Sequence, residues 1–333
     1  MKERAVSRAG ELIRFGDPGF HPRCEAAQRD GFLFHFVFMQ REARWGKILI
    51  FQMQPQIPII PTVTPSWQPS PQTLELLPGE VHVWRARLNQ EQIEISEFCP
   101  LLTEEEQLRA SQFRSPDDSK RFVLSRVMLR DVLLRYPAIA KDHPPVLCTG
   151  PKGKPHLQRV PGGLNLEFNL SHSHSLLMLA ITRDRRIGID VEHLSRIPGY
   201  ETIAARYFSP SEYRALLSVP QEERNNAFLS IWTRKEAYIK ARGDGLSISL
   251  DSFTVLPSAD GTLHLNDSRT AAVTWSFTDL QLDAHYLGAL AVEECCSRFL
   301  FWNWVIHSQP PASTPRRFLN SFNGILIQNL HGE

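Results

Sequence analysis

Ile187-Gly188-Ile189-Asp190-Val191-Glu192 alternates apolar and acidic residues. In a strand that alternation sends Ile187, Ile189 and Val191 to one face and Asp190 with Glu192 to the other. Downstream, Ser209-Pro210-Ser211-Glu212 has the form of a capping box with proline in the first turn. A long helix is then expected from about Asn225 to Arg242, stopped by Gly243-Asp244-Gly245. Strands are expected around Ser252–Leu256, Val273–Thr278 and Leu287–Val292, the last closing the ordered part.

The same grammar stands upstream. A strand-like run lies at Val81, Val83 and Ala86, then a capping box at Thr103 and Glu106. Ser115, Pro116 and Asp118 open a longer helix, and strands follow near Leu164–Asn169 and Leu176–Thr182. Thr103 precedes Phe122 by as many residues as Ser209 precedes Phe228, and this offset pairs Glu106 with Glu212 and Arg130 with Glu236. The expected fold is α+β, made of two pseudo-duplicated lobes. Each is a long helix packed on a small, mostly antiparallel sheet, with the site at the lobe interface. The expected divisions are a basic, irregular and Pro-rich extension over 1–79, lobes over 80–185 and 186–297, and a tail over 298–333. Phe299, Phe301, Trp302 and Trp304 are expected to pack that tail on the body.

The chain has 333 residues, 42% hydrophobic and 22% charged, with a net charge of +1, which excludes bulk attraction to nucleic acid or a membrane surface. No apolar run is long enough to span a bilayer, and the five cysteines form no C-x-x-C pair or regular framework. A cytoplasmic protein with reduced thiols is expected.

The chemistry concentrates in a few clusters. Asp190 and Glu192 share a strand face, and paired carboxylates repel unless a cation lies between them; hard oxygen ligands favour Mg²⁺ or Mn²⁺. A lone D-x-E is more often a solvated face. Trp232, Glu236 and Lys240, spaced i, i+4, i+8, stack along one helix face. An ordinary surface ion pair has that spacing too, but tryptophan rarely heads a solvated row. Gly153-Lys154-Pro155 and Asn169-x-Ser171-His172-Ser173 are weak alone, the second being open to a turn reading. Arg109, Arg114, Lys120 and Arg121 give the first lobe a basic face.

Taken in order, G-K-P at 153–155, F-N-L-S-H-S at 168–173, I-G-I-D-V-E at 187–192, F-S-P-S-E-Y at 208–213 and W-T-R-K-E-A-Y-I-K-A-R-G-D-G-L at 232–246 resemble the two-lobed, Sfp-type 4′-phosphopantetheinyl transferases. W-Q-P-S-P followed by V-H-V-W-R is most similar to cyanobacterial members. The resemblance implies transfer of phosphopantetheine from coenzyme A to a serine of an apo acyl or peptidyl carrier protein, releasing adenosine 3′,5′-bisphosphate. It implies Mg²⁺ on Asp190, Glu192 and Glu236, with Glu236 also the base and Lys240 on phosphate. It further implies Arg121 and His172 on the 3′-phosphate, and Arg109, Lys154 and Ser171 among the coenzyme contacts. Glu106 departs from the pattern, standing where such enzymes carry a lysine; Lys120 and Arg114 are the substitutes. Two lobes in one chain imply a monomer. The competing reading is a non-catalytic carrier-protein or coenzyme-A-binding protein on the same scaffold, disfavoured because all three carboxylates are present.

Overall fold

The computed structural model describes residues 62–88, 93–137, 146–150, 154–158, 164–243, 245–256, 265, 273–294, 296 and 298–305, without the side chains of 149 and 246. Before residue 62 only backbone strands are described. The longest, Phe32–Ala43 and Gly46–Pro55, pair as an antiparallel hairpin where no strand period was expected. The expectations for 306–333 lie outside the described residues.

From residue 62 on, two short strands come first, β1 (Thr62–Val63) and β2 (Gln68–Pro69). The first lobe then runs β3 (Glu80–Arg87), α1 (Glu104–Ser111), α2 (Pro116–Leu134), the small hairpin β4 (Leu147–Thr149) and β5 (Pro155–Leu157), β6 (Leu166–Ser173) and β7 (Leu176–Arg183). The second runs β8 (Ile187–His193), α3 (Tyr200–Tyr207), α4 (Pro210–Ser218), α5 (Arg224–Arg242), β9 (Trp275–Asp283) and β10 (Tyr286–Glu293). A last strand, β11, spans Arg298–Asn303. Both capping boxes form, with Thr103 and Ser209 accepting from the backbone of Glu106 and Glu212.

The duplication is visible in the topology. In each lobe a strand leads into helices, and a hairpin returns to pair antiparallel with that strand, giving β6-β7-β3 and β9-β10-β8. One face of each sheet carries its long helix. Trp84, Leu177, Leu179 and Ile181 pack with Val123, Leu124 and Met128 of α2, and Phe277, Ala289 and Ala291 pack with Tyr238 and Ala241 of α5. The other faces meet each other: Val81, Val83, Met178 and Ala180 pack against Ile189, Val191, Leu290 and Val292.

Two expectations fail for physical reasons, and one open alternative is decided. Residues 252–256 do not join a ladder; Leu250–Ser252 is a 3₁₀ turn. The backbone groups there go to a buried ion pair instead: Lys235 Nζ donates to the carbonyls of Leu250 and Phe253 (2.7 and 2.8 Å), and Glu212 Oε1 accepts from Val255 N (2.7 Å). Order does not end at β10, because β11 lies parallel to β3 and, with β2, completes a five-stranded sheet. Phe299, Phe301 and Trp302 are therefore strand residues, and Trp304 Nε1 donates to Asp131 of α2 at 2.8 Å. Finally, β6 continues through Ser173, so N-x-S-H-S is strand and not turn.

Candidate active site

Gly188 decides how near the acidic strand comes to the long helix. A Cβ built there would lie 1.9 Å from the carbonyl oxygen of Ala237 and 2.5 Å from the nitrogen of Ala241. With only hydrogen at that point, β8 meets the backbone of α5 directly, and Asp190, on the same face as Gly188, comes within reach of Lys240. Lys240 Nζ sits 2.6 Å from Asp190 Oδ1. Ser171 Oγ joins both, donating to Asp190 Oδ1 at 3.0 Å and accepting from Lys240 Nζ at 3.0 Å.

The three predicted carboxylates influence one another. Burial, opposed by Lys240 and Ser171, raises Asp190 above the usual carboxylate range. Glu192 is pushed up to about 7 by burial and then by the Asp190 and Glu236 charges, against Ser173 and Lys240. Glu236 is raised by burial and by Asp190. Among the described residues no three His, Cys, Asp or Glu side chains are gathered into a metal cage. The donor set still fits a hard dication: three mutually repelling carboxylates, with Asp190 Oδ2 buried and without a partner.

A set of cations adjoins the acids. Arg121, on α2, donates to the carbonyl of His174 at 3.4 Å, and the His172 imidazole is held low by burial and then by the charges of Arg121 and Lys240. Arg121 and Lys240 thus hold positive charge close to the His172 imidazole, a set suited to a polyanion. Arg109 is exposed on α1, its guanidinium 5.4 Å from the Phe122 ring centroid. The unexpected acid, Glu106, is engaged locally: it closes its capping box and pairs with Arg130 at 2.7 Å and Arg126 at 3.5 Å. Lys154 bonds to backbone carbonyls. Its ammonium donates to the carbonyls of Lys240 (2.6 Å), Ala241 (3.3 Å) and Ile187 (3.4 Å), so it closes the end of α5, and burial lowers it to about 8.

Two features escaped sequence reasoning. Lys235, beside Glu236 in the helix motif, is fully buried against Glu212 at 2.7 Å and organises the turn at 250–255. Asn169, Ser171 and Ser173 occupy alternate positions of β6, and their side chains accept from the backbone N–H groups of Ile189 (2.9 Å), Val191 (3.3 Å) and His193 (3.1 Å). Strand β8 is the edge of its sheet, so this comb satisfies donors that would otherwise be orphaned. The spacing N-x-S-x-S-x-S over 169–175 is the signal for it: Ser175 continues the series onto the Tyr286 hydroxyl at 3.1 Å.

Residues 84–183 match the family model described as 4′-phosphopantetheinyl transferase, N-terminal, and residues 186–291 match the 4′-phosphopantetheinyl transferase superfamily. The 4′-phosphopantetheinyl transferase HetI of Nostoc sp. strain PCC 7120 is 34% identical over 240 residues, 72% of this chain and 98% of HetI. The chain belongs to the 4′-phosphopantetheinyl transferase family. The transferase also resembles Sfp of Bacillus subtilis, 34% identical over 185 residues (55% of this chain, 79% of Sfp), and psf-1 of Bacillus pumilus, 34% identical over 203 residues (60% of this chain, 83% of psf-1). It is an enzyme of the Sfp type, and HetI places a cyanobacterial member among its relatives. Among the described residues of the transferase no helix is long and apolar enough to cross a membrane.

Proposed function

We propose that this transferase moves 4′-phosphopantetheine from coenzyme A to a serine hydroxyl of an apo acyl or peptidyl carrier protein, releasing adenosine 3′,5′-bisphosphate. The observation that supports it best is the meeting of two opposite charge sets at the Lys240–Asp190 pair. Coenzyme A is a polyanion, and a chain of net charge +1 needs clustered cations to hold it. Arg121 and His172 take the 3′-phosphate, Arg109 and Ser171 add coenzyme contacts, and Lys240 reaches the pyrophosphate by leaving or sharing Asp190. Lys154, assigned to the coenzyme by resemblance, stands behind them on the end of α5.

Asp190, Glu192 and Glu236 would hold Mg²⁺, which supplies charge neutralisation at the phosphoryl oxygens. Glu236 takes the proton of the serine hydroxyl, directly or through one water. The departing bisphosphate is a stable anion and needs no acid. Cations of the first lobe and carboxylates of the second come from one chain, so the enzyme works as a cytoplasmic monomer. Mass spectrometry of an apo carrier protein incubated with the enzyme, coenzyme A and Mg²⁺ is the test. The expected gain is one phosphopantetheine, lost on chelation; unmodified fatty-acid, polyketide and peptide carriers would reject the function.

A further inference from the structure

The hydroxyl of Ser173 makes two bonds that belong to different tasks. It accepts from the backbone N–H of His193 at 3.1 Å, which fixes the end of β8 against β6. It also donates to Glu192 Oε2 at 3.2 Å, which fixes the carboxylate. Ser171, two residues earlier, does the same for Val191 N and Asp190 Oδ1, and Asn169 holds only backbone, at Ile189 N. Each serine of the first lobe therefore sets both the register and the side chain of one acidic residue of the second. A hydroxyl has one proton: once it is donated to the carboxylate, the lone pairs accept the amide, and the two bonds orient each other. No ladder of backbone bonds joins β6 to β8 in either sheet, so these side chains carry the alignment.

We infer that Ser173 is a positioning residue: it presents Glu192 to the divalent cation, and the Asn169–Ser171–Ser173 comb transmits the placement of the cationic first lobe to the acidic second lobe. The inference rests on the reading of Asp190, Glu192 and Glu236 as metal ligands. Outer-sphere partners of ligating carboxylates commonly govern metal affinity because they restrict the ligand to one direction. Ser173 reaches the acidic cluster through its bond to Glu192, so its removal acts through that carboxylate.

The probe is Mn²⁺, titrated by electron paramagnetic resonance into the full-length enzyme without coenzyme. Ser173→Ala is expected to weaken Mn²⁺ by roughly 10-fold. Coenzyme A affinity in chelator should stay near the parent's, while the unfolding midpoint falls only by the loss of the one bond to His193 N. Ser173→Thr keeps the hydroxyl and restores Mn²⁺ binding. In Glu192→Gln the Ser173→Ala change adds no further loss, which a merely structural role would not produce. Equal Mn²⁺ affinity in the parent and Ser173→Ala overturns the positioning role while leaving the metal reading intact. So does a parallel fall of metal affinity, coenzyme affinity and midpoint. A parent that binds no Mn²⁺ overturns both.

Discussion

Replacing Gly188 with alanine tests whether the close approach of strand and helix makes the site. The added Cβ would stand 1.9 Å from Ala237 O and 2.5 Å from Ala241 N. Both are backbone atoms of α5, so no rotamer relieves the overlap. To regain ordinary contact the helix must retreat by more than about 1 Å, and overpacking of this kind costs roughly 1–3 kcal/mol or more. Glu236 and Lys240 ride on the same helix, and a misplacement of about 1 Å at a reacting centre lowers rate by on the order of 100-fold. Gly288 on β10 is the control. Its Cβ would lie 3.1 Å from Asp190 O and 3.2 Å from Leu282 Cδ1, so the neighbours need give by only a few tenths of an ångström, far less than at Gly188. Carrier-loading rates and urea unfolding of the two alanine variants give the comparison. If Gly188→Ala kept the parent's midpoint and turnover, the account of β8 docking directly on the α5 backbone would be wrong.

Further outcomes follow from the same geometry. Lys235→Met strands Glu212 without its counter-charge where both side chains are 0% exposed, so urea unfolding should show a loss of about 3–5 kcal/mol, and adding Glu212→Gln should recover part of it. Arg121→Ala should weaken coenzyme A by roughly 10- to 100-fold and 3′-dephospho-coenzyme A far less; equal losses in titrations of the two would move the 3′-phosphate contact elsewhere. His82 is lowered to about 4 by burial, against Glu80 and beside Arg298, with Tyr136 bonding its Nδ1. Its folded value lies below the unfolded one, so its contribution is full above about pH 6.5 and is lost as pH falls toward 4. The slope is about 1.4 kcal/mol per unit, about 3 kcal/mol in all. In His82→Gln the acid-side slope of stability should flatten; an unchanged slope would show that another group governs it.

What the sequence disclosed was local. The acidic face of β8, the two capping boxes, the start of α2 and the span of α5 depend on neighbours within a turn or two, and each is found as read. The face shared by Glu236 and Lys240 is legible for the same reason. Features set by distant partners were not. Thr254 and Val255 look like strand, but Lys235 and Glu212 take the backbone bonds around them. Lys154, given to the coenzyme by resemblance, carries no local sign of its bonds to the end of α5. Each serine of the comb, taken singly, suits a turn; only the edge of β8 gives the series its meaning.

Strand β11 also bears on the order in which the protein is made. It follows the second lobe in the chain but lies in the sheet of the first, with Arg298 opposite Glu80 and Trp302 opposite Trp84. The first lobe emerging from the ribosome therefore lacks the second neighbour of β3 until the whole second lobe has been synthesised. Closing such a long loop is slow, and in the interval β3 presents an unpaired edge beside Trp84. Severing the chain between β7 and β8 would leave that strand on the wrong fragment. The two halves, alike in topology, are expected to reach the native state together and to regain it only when both are present.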